Sequence, residues 1–329
     1  MSRSARIEVT SEPDADATFG VSLRGLALGD RIYRIAITCF ALCIPVLLAL
    51  IALEVGRAGW PALQQFGLGF LTSSSWDPVA GEFGAASAVV GTLVTSFVSL
   101  LIATPLALGS AIFLSEFAPP WLRQPFAFLI DLLAAIPSVV YGLWALLVLV
   151  PVLRASFIPF LRDTLHLGAT PFFTGPAYGP SVLSASIVLA IMVLPYTAAV
   201  AREVLMAVPR SQREAALALG ATRWETISGA VLPYARTGII GGVILGLGRA
   251  IGETMAVTMV IGNSHELSAS LLAPGYTMAS LVANEFAEAT GDLHVSALMA
   301  VGFVLFVTTL LVNALARWLV WRVSRGPAA

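Results

Sequence analysis

Six long apolar runs dominate this 329-residue chain, and they constrain its fold more than any other feature. They lie at Tyr33–Val55, Ala86–Leu114, Phe126–Leu153, Ser181–Ala201, Thr237–Ile261 and Val295–Val320. Each is long enough for the roughly 20 residues a helix needs to cross the hydrocarbon core of a bilayer. Inside hydrocarbon the backbone finds no water, so a span must be a helix or a strand of a closed barrel, and runs this long predict helices. The expected fold class is therefore all-α and polytopic. Composition agrees: 58% of residues are hydrophobic and 11% are charged, with a mean hydropathy of +0.89, whereas soluble domains carry about 25% charged residues. Pro45, Pro105, Pro137 and Pro195 fall inside runs and are expected to kink or open them.

The charges that remain set an orientation. All 18 basic residues are arginine. Fourteen of them fall on one side: Arg3, Arg6, Arg24, Arg31, Arg34, Arg123, Arg202, Arg210, Arg213, Arg223, Arg236, Arg317, Arg322 and Arg325. Three fall on the other, Arg57, Arg154 and Arg162, and Arg249 lies within a span. The arginine-rich side is expected to be cytoplasmic, with both termini there. Residues 1–30 read as a disordered cytoplasmic tail, 31–325 as the transmembrane domain and 326–329 as a C-terminal tail. The outer loop near 262–294 is acidic, with Glu266, Glu285, Glu288 and Asp292. Cys39 and Cys43, one helical turn apart, read as small buried hydrophobes. His166, His265 and His294 stand far apart without cysteine or HExxH context, so no metal site is expected.

The loop at 202–236 is unusual for a connection. Ser211 and Glu214 have capping-box spacing, alanines and leucines extend to Leu219, and Gly220 can end a helix in the left-handed region. Thr222 and Glu225 repeat the capping-box spacing, and Pro233 marks the return to the membrane. The predicted unit is helix–glycine–helix with an apolar face that must pack on lipid or on a partner. Glu214, Ala215, Ala216, Gly220, Leu232 and Pro233 together resemble the EAA signature of bacterial ABC importer permeases; Ala230 departs from it, standing where isoleucine is usual. The resemblance implies that this loop couples to a separate ATPase subunit. Independently, a chain with no lysine cannot build the G-x-x-x-x-G-K-[ST] phosphate loop, so ATP must be used elsewhere.

The fifth run carries the chemistry. Gly238, Gly242 and Gly246 share one face, as do Gly248 and Gly252, and small-residue faces let helices approach closely. Arg249 and Glu253 lie one turn apart within the run. An arginine at a bilayer centre costs about 2.5–3.5 kcal/mol and calls for a partner, which Glu253 supplies. The pair is either a structural ion pair or an anion site, because a guanidinium fork suits phosphate oxygens. The run Gly248–Thr254 and the stretch Ala135–Leu143 resemble the PstC family, the permeases of phosphate-specific ABC importers. Leu194–Tyr196 and Arg202–Val204 lead into the loop as they do in that family.

The resemblance spans about Asp30 to Trp321. It implies a type I importer permease with six spans that is not itself an enzyme, and a substrate pathway holding Arg249 and Glu253. Ser138 and Tyr141 offer hydroxyls near the Pro137 turn; they serve either the pathway or helix packing. Implied partners are a PstA-like second permease, two copies of a PstB-like ATPase that uses the ATP, and an external PstS-like phosphate-binding protein. No cofactor or metal is expected in this chain. Two readings stay open beside it: the PstA-like partner permease, and a permease for another oxyanion such as molybdate or sulfate. A gradient-driven carrier is the reading of another class, and the EAA loop speaks against it.

Overall fold

The computed structural model describes residues 23–324 apart from Ala177. Residues 1–22 and 325–329, which hold most of the expected N-terminal tail and the whole expected C-terminal tail, lie outside the described residues. The chain divides into two units at Leu53. The first contains the start of helix α1 (Leu23–Phe66), so the last residues of the stretch read as tail are helical. Its described side chains are almost all exposed, including Cys39 and Cys43, which are free thiols and not buried as expected. An apolar side chain on a spanning helix needs lipid, not protein, so burial inside the fold is not required of it.

In the second unit, the short α2 (Gly69–Thr72) precedes a hairpin of β1 (Trp76–Asp77) and β2 (Glu82–Phe83). Then come α3 (Ala86–Ile112), α4 (Pro120–Ala135), α5 (Ser138–Trp144), α6 (Val150–Val152), α7 (Val182–Met206), α8 (Arg210–Ala218) and α9 (Arg223–Thr226). The chain ends with α10 (Leu232–Gly252), α11 (Met255–Val260), α12 (Met278–Glu285) and α13 (Asp292–Ser324). Six helical stretches are long and apolar enough to cross a membrane: Asp30–Phe66, Ala86–Phe117, Ser138–Thr164, Val182–Met206, Arg223–Gly252 and Asp292–Arg322.

Two predicted spans are corrected. The third, read as Phe126–Leu153, is two helices. Proline lacks an N–H and drives the preceding residue out of helical conformation; Ile136 is extended, with ψ 129°, between α4 and α5. The spanning stretch therefore starts at Ser138. Pro105 and Pro195, by contrast, lie inside continuous helix. The fifth span, read as Thr237–Ile261, ends at Gly252 and begins earlier, because α9 continues through a π-helical turn at Ile227–Val231 into α10. Pro233 thus sits inside a continuous helical stretch, just after the π-helical turn, a local irregularity of the kind found where the helical ladder is interrupted.

The centre of the bundle is α7, flanked by α3 and α10. On α3, Ala88, Thr92, Ser96, Ser99, Ala103, Ala107 and Ala111 form a buried stripe at helical spacing. Such small residues allow close backbones; Thr92 and Thr95 donate to the carbonyls of Ala88 and Gly91 at 2.7 Å each, whereas the buried Ser96 hydroxyl has no hydrogen-bond partner among the described residues. The predicted glycine face of α10 behaves likewise: a Cβ at Gly246 would lie 2.7 Å from Val193 Cγ1 of α7.

Four separate segments meet on one carboxylate. Trp76 Nε1 donates to Glu285 Oε2 at 2.5 Å, His294 Nε2 to the same oxygen at 3.1 Å, and His265 Nε2 to Oε1 at 3.0 Å. His265 and His294, distant in sequence, converge here. Burial disfavours the carboxylate charge, but the hydrogen bonds from His265, Trp76 and His294 outweigh it and hold Glu285 below the usual value of 4.5. A lowered native value stabilises the fold above pH 4.5, and that stabilisation is lost as pH falls through the native value. Glu285→Gln should lower stability by about 1–3 kcal/mol. Melting temperatures of the two proteins should differ most near neutral pH and converge as pH falls below 4.5.

Candidate functional site

Gly252 ends α10, and Glu253 is extended, with ψ 128°, before α11 begins. Glycines weaken the helix here, and the Glu253 carboxylate replaces the missing backbone partner: its Oε1 accepts from Ala256 N at 3.4 Å. A helix start with an acidic cap is stabilised by both the hydrogen bond and the dipole. Arg249 therefore lies in the last turn of α10, and Glu253 lies beyond it in a break. The residues are close but not tightly paired: Arg249 Nη2 is 3.8 Å from Glu253 Oε2, beyond hydrogen-bond range. Glu253 is buried, whereas the Arg249 side chain is 32% exposed.

The guanidinium is held by a ring. Arg249 Cζ stands 4.7 Å from the Tyr196 ring centroid, a cation–π arrangement. Among the described residues Arg249 has no hydrogen-bond acceptor, and its buried Nε is unpartnered. Its donors are available to a ligand. They face a cavity of about 400 Å³ lined by Tyr196, Val200, Leu245, Gly248, Arg249, Gly252 and Glu253. A Cβ at Gly248 or Gly252 would meet nothing within 4 Å, so this second glycine face keeps the cavity open and does not pack a helix.

The break at Ile136–Pro137 supports the same place. The last carbonyls of α4 lack helical partners. Tyr196 Oη donates to Ala134 O and Tyr141 Oη to Leu133 O, each at 2.8 Å. Tyr196 thus pins α4 with its hydroxyl while its ring supports Arg249. α5 then packs directly on α11: a Cβ at Gly142 would lie 2.7 Å from Met259 Sδ. The structure brings Arg249 and Glu253 together as expected. Ser138, half-buried in the first turn of α5, and Tyr141 do not line the cavity. Tyr196 was missed as a site residue; its signal was a polar-tipped ring after Leu194 and Pro195 in an apolar run.

The second predicted site is α8 and its neighbours. The expected capping box at Ser211 and Glu214 is absent: proline readily precedes a first turn, so the helix starts after Pro209 and Ser211 is inside it. The Thr222–Glu225 capping box is formed in both directions. Gly220 has φ +86°, with Ala221 N donating to Ala216 O and Gly220 N to Leu217 O, a Schellman ending that strains any residue with a Cβ. Glu214, Ala215 and Gly220 are exposed and Ala216 is half-buried. Leu219 is 90% exposed and Trp224 59%, so apolar surface is left uncovered beside α8. α8 is anchored by Arg213, which bonds Glu116 Oε1 at 2.8 Å and Leu205 O at 2.8 Å.

A family model described as "Binding-protein-dependent transport system inner membrane component" matches residues 103–325, more than half of the chain. The chain belongs to this family. It is 44% identical over 319 residues to the phosphate transport system permease protein PstC of Mesorhizobium japonicum, across 96% of this chain and 98% of that protein. It is 47% identical over 303 residues to the protein of the same name from Xylella fastidiosa, across 91% and 93%. The fold resembles a chain of a bacterial ABC transporter that imports alginate, with a TM-score of 0.55 at 16% identity, covering 91% of this chain and all of that one. The expected six-span, all-α importer fold and the resemblance to PstC permeases are borne out. The permease is a transport component and not an enzyme.

The two glycine faces make opposite predictions. Gly248→Leu projects into the cavity, so the protein should fold and assemble normally while transport falls at least about tenfold. Gly246→Leu forces α10 off α7 and should cost about 1–3 kcal/mol, read as reduced yield and melting temperature.

Proposed function

We propose that this permease carries inorganic phosphate through an ABC importer, with Arg249 as the anion-binding group of the pathway. The observation that carries this reading is a guanidinium with no hydrogen-bond acceptor among the described residues, braced by Tyr196 and open to a cavity. The names of the PstC relatives support the same substrate. The arginine bias places the α8 end and both termini in the cytoplasm and the Glu285 cluster outside, in a cytoplasmic (inner) membrane. A PstS-like binding protein delivers phosphate to the outer face. A PstA-like permease completes the pathway, and two PstB-like ATPases use the ATP, one docking on α8 through Leu219, Trp224 and the Glu214–Ala216 segment. Their closure alternates the side to which the Arg249 cavity opens.

Glu253 gives a chemical reason for choosing phosphate. A carboxylate repels a fully deprotonated oxyanion, but it can accept a hydrogen bond from one that keeps a proton. Phosphate keeps a proton at neutral pH and sulfate does not. Glu253 therefore selects against sulfate while Arg249 binds either. Tyr141 contributes by holding the end of α4 in place.

Proteoliposomes bearing the full complex test this. Arg249→Gln should reduce phosphate uptake by about tenfold to a hundredfold, the loss expected for a charged hydrogen-bonding group. Arg249→Lys should fall between, because it keeps the charge without the fork. Glu253→Gln should narrow the preference for phosphate over sulfate. Normal uptake by Arg249→Gln would reduce the pair to a structural role.

A further inference from the structure

α8 has little contact of its own with the bundle. Every residue in it is exposed except Arg213 and Ala216, which are part-buried. Only three residues, Ala207 to Pro209, separate it from α7, and a link that short fixes the distance without fixing the angle. Arg213 removes that freedom. Its Nε and Nη2 bond Glu116 Oε2 and Oε1 at 3.3 and 2.8 Å, a two-point fork. Its Nη1 bonds Val208 O at 2.5 Å and its Nη2 bonds Leu205 O at 2.8 Å. Glu116 lies in the π-helical turn that ends α3, at Phe113–Phe117. Leu205 is in the last turn of α7, and its carbonyl accepts from Val208 N at 3.3 Å as well as from Arg213. One guanidinium therefore joins α8 to the ends of two packed helices, with side chains only 22% and 12% exposed.

We infer that Arg213 is the positioning residue through which movement of α8 enters the bundle, by way of Glu116 on α3 and the last carbonyls of α7. The route leads to the site: Tyr196, nine residues before Leu205 on α7 and so about 13 Å along a rigid helix, holds the face of Arg249. A tilt of α8 cannot leave α7 in place without breaking buried, charge-assisted bonds. This rests on the reading that an ATPase docks on α8.

The readout is the ratio of phosphate taken up to ATP hydrolysed in proteoliposomes containing the complete complex. A purely local stabilising role would leave that ratio unchanged in any complex that assembles. Arg213→Gln should lower it by about tenfold, with ATP hydrolysis retained. Glu116→Gln keeps the carbonyl bonds and should lower it less. Arg213→Lys should restore part of the loss. A wild-type ratio in an assembled Arg213→Gln complex overturns the inference. So does a wild-type ratio in Glu116→Gln if Arg213→Gln fails to assemble. Leu219→Cys, in a background with Cys39 and Cys43 replaced by serine, separates the two readings. Its cross-linking to the ATPase, together with a wild-type ratio in the Arg213→Gln complex, sinks the role of Arg213 alone. No cross-link removes the docking reading and this inference with it.

Discussion

A backbone carbonyl or amide released inside an apolar helix has no water to turn to, and the site is built from how this chain meets that constraint. Two helices stop early, at Ala135 and at Gly252. Each stop frees polar groups that a side chain must satisfy. Tyr141 and Tyr196 take the carbonyls at the end of α4, and Glu253 caps the amide of Ala256 at the start of α11. The residues that repair the backbone are thereby fixed in position, and two of them, Tyr196 and Glu253, flank Arg249. Arg249 has no backbone task and, among the described residues, no hydrogen-bond acceptor. Its place is set by a ring and a nearby charge, both of which leave its donors free.

The same economy of polar groups operates at the ends of the bundle. Glu285 gathers three donors from three segments that sequence holds far apart, joining the hairpin, α12 and α13. Arg213 gathers acceptors from α3, α7 and the link to α8. α7 runs through the bundle as its most buried helix, and glycines on α10 bring that helix close against it.

Much of this was legible in the sequence. Run length gave the spans, because hydrocarbon thickness dictates helix length. Gly220 and the Thr222–Glu225 box were readable because a left-handed turn and a capping pair depend on local chemistry. The Ser211 box misled: the same spacing is present, but Pro209 takes the N-cap position two residues earlier and Ser211 falls inside the helix. The broken third and fifth spans were hidden inside continuous apolar text, since hydropathy does not record ψ. Pro137 breaks its helix while Pro105 and Pro195 do not, and the difference lies in tertiary partners such as Tyr141 that relieve the freed carbonyls. The Arg249–Glu253 pair was visible as two charges in an apolar run. Tyr196, Glu116 and the convergence of His265 and His294 on Glu285 were not, because each is made by residues distant in the chain.

The proposed transport requires phosphate to occupy the cavity that Arg249 lines. The most direct measurement is the rate at which a thiol reagent modifies Gly248→Cys in the reconstituted complex, with Cys39 and Cys43 replaced by serine, during ATP turnover with and without phosphate. Phosphate should slow the modification, and the additional Arg249→Gln substitution should remove the protection. A rate indifferent to phosphate in the Arg249-containing protein would contradict the account.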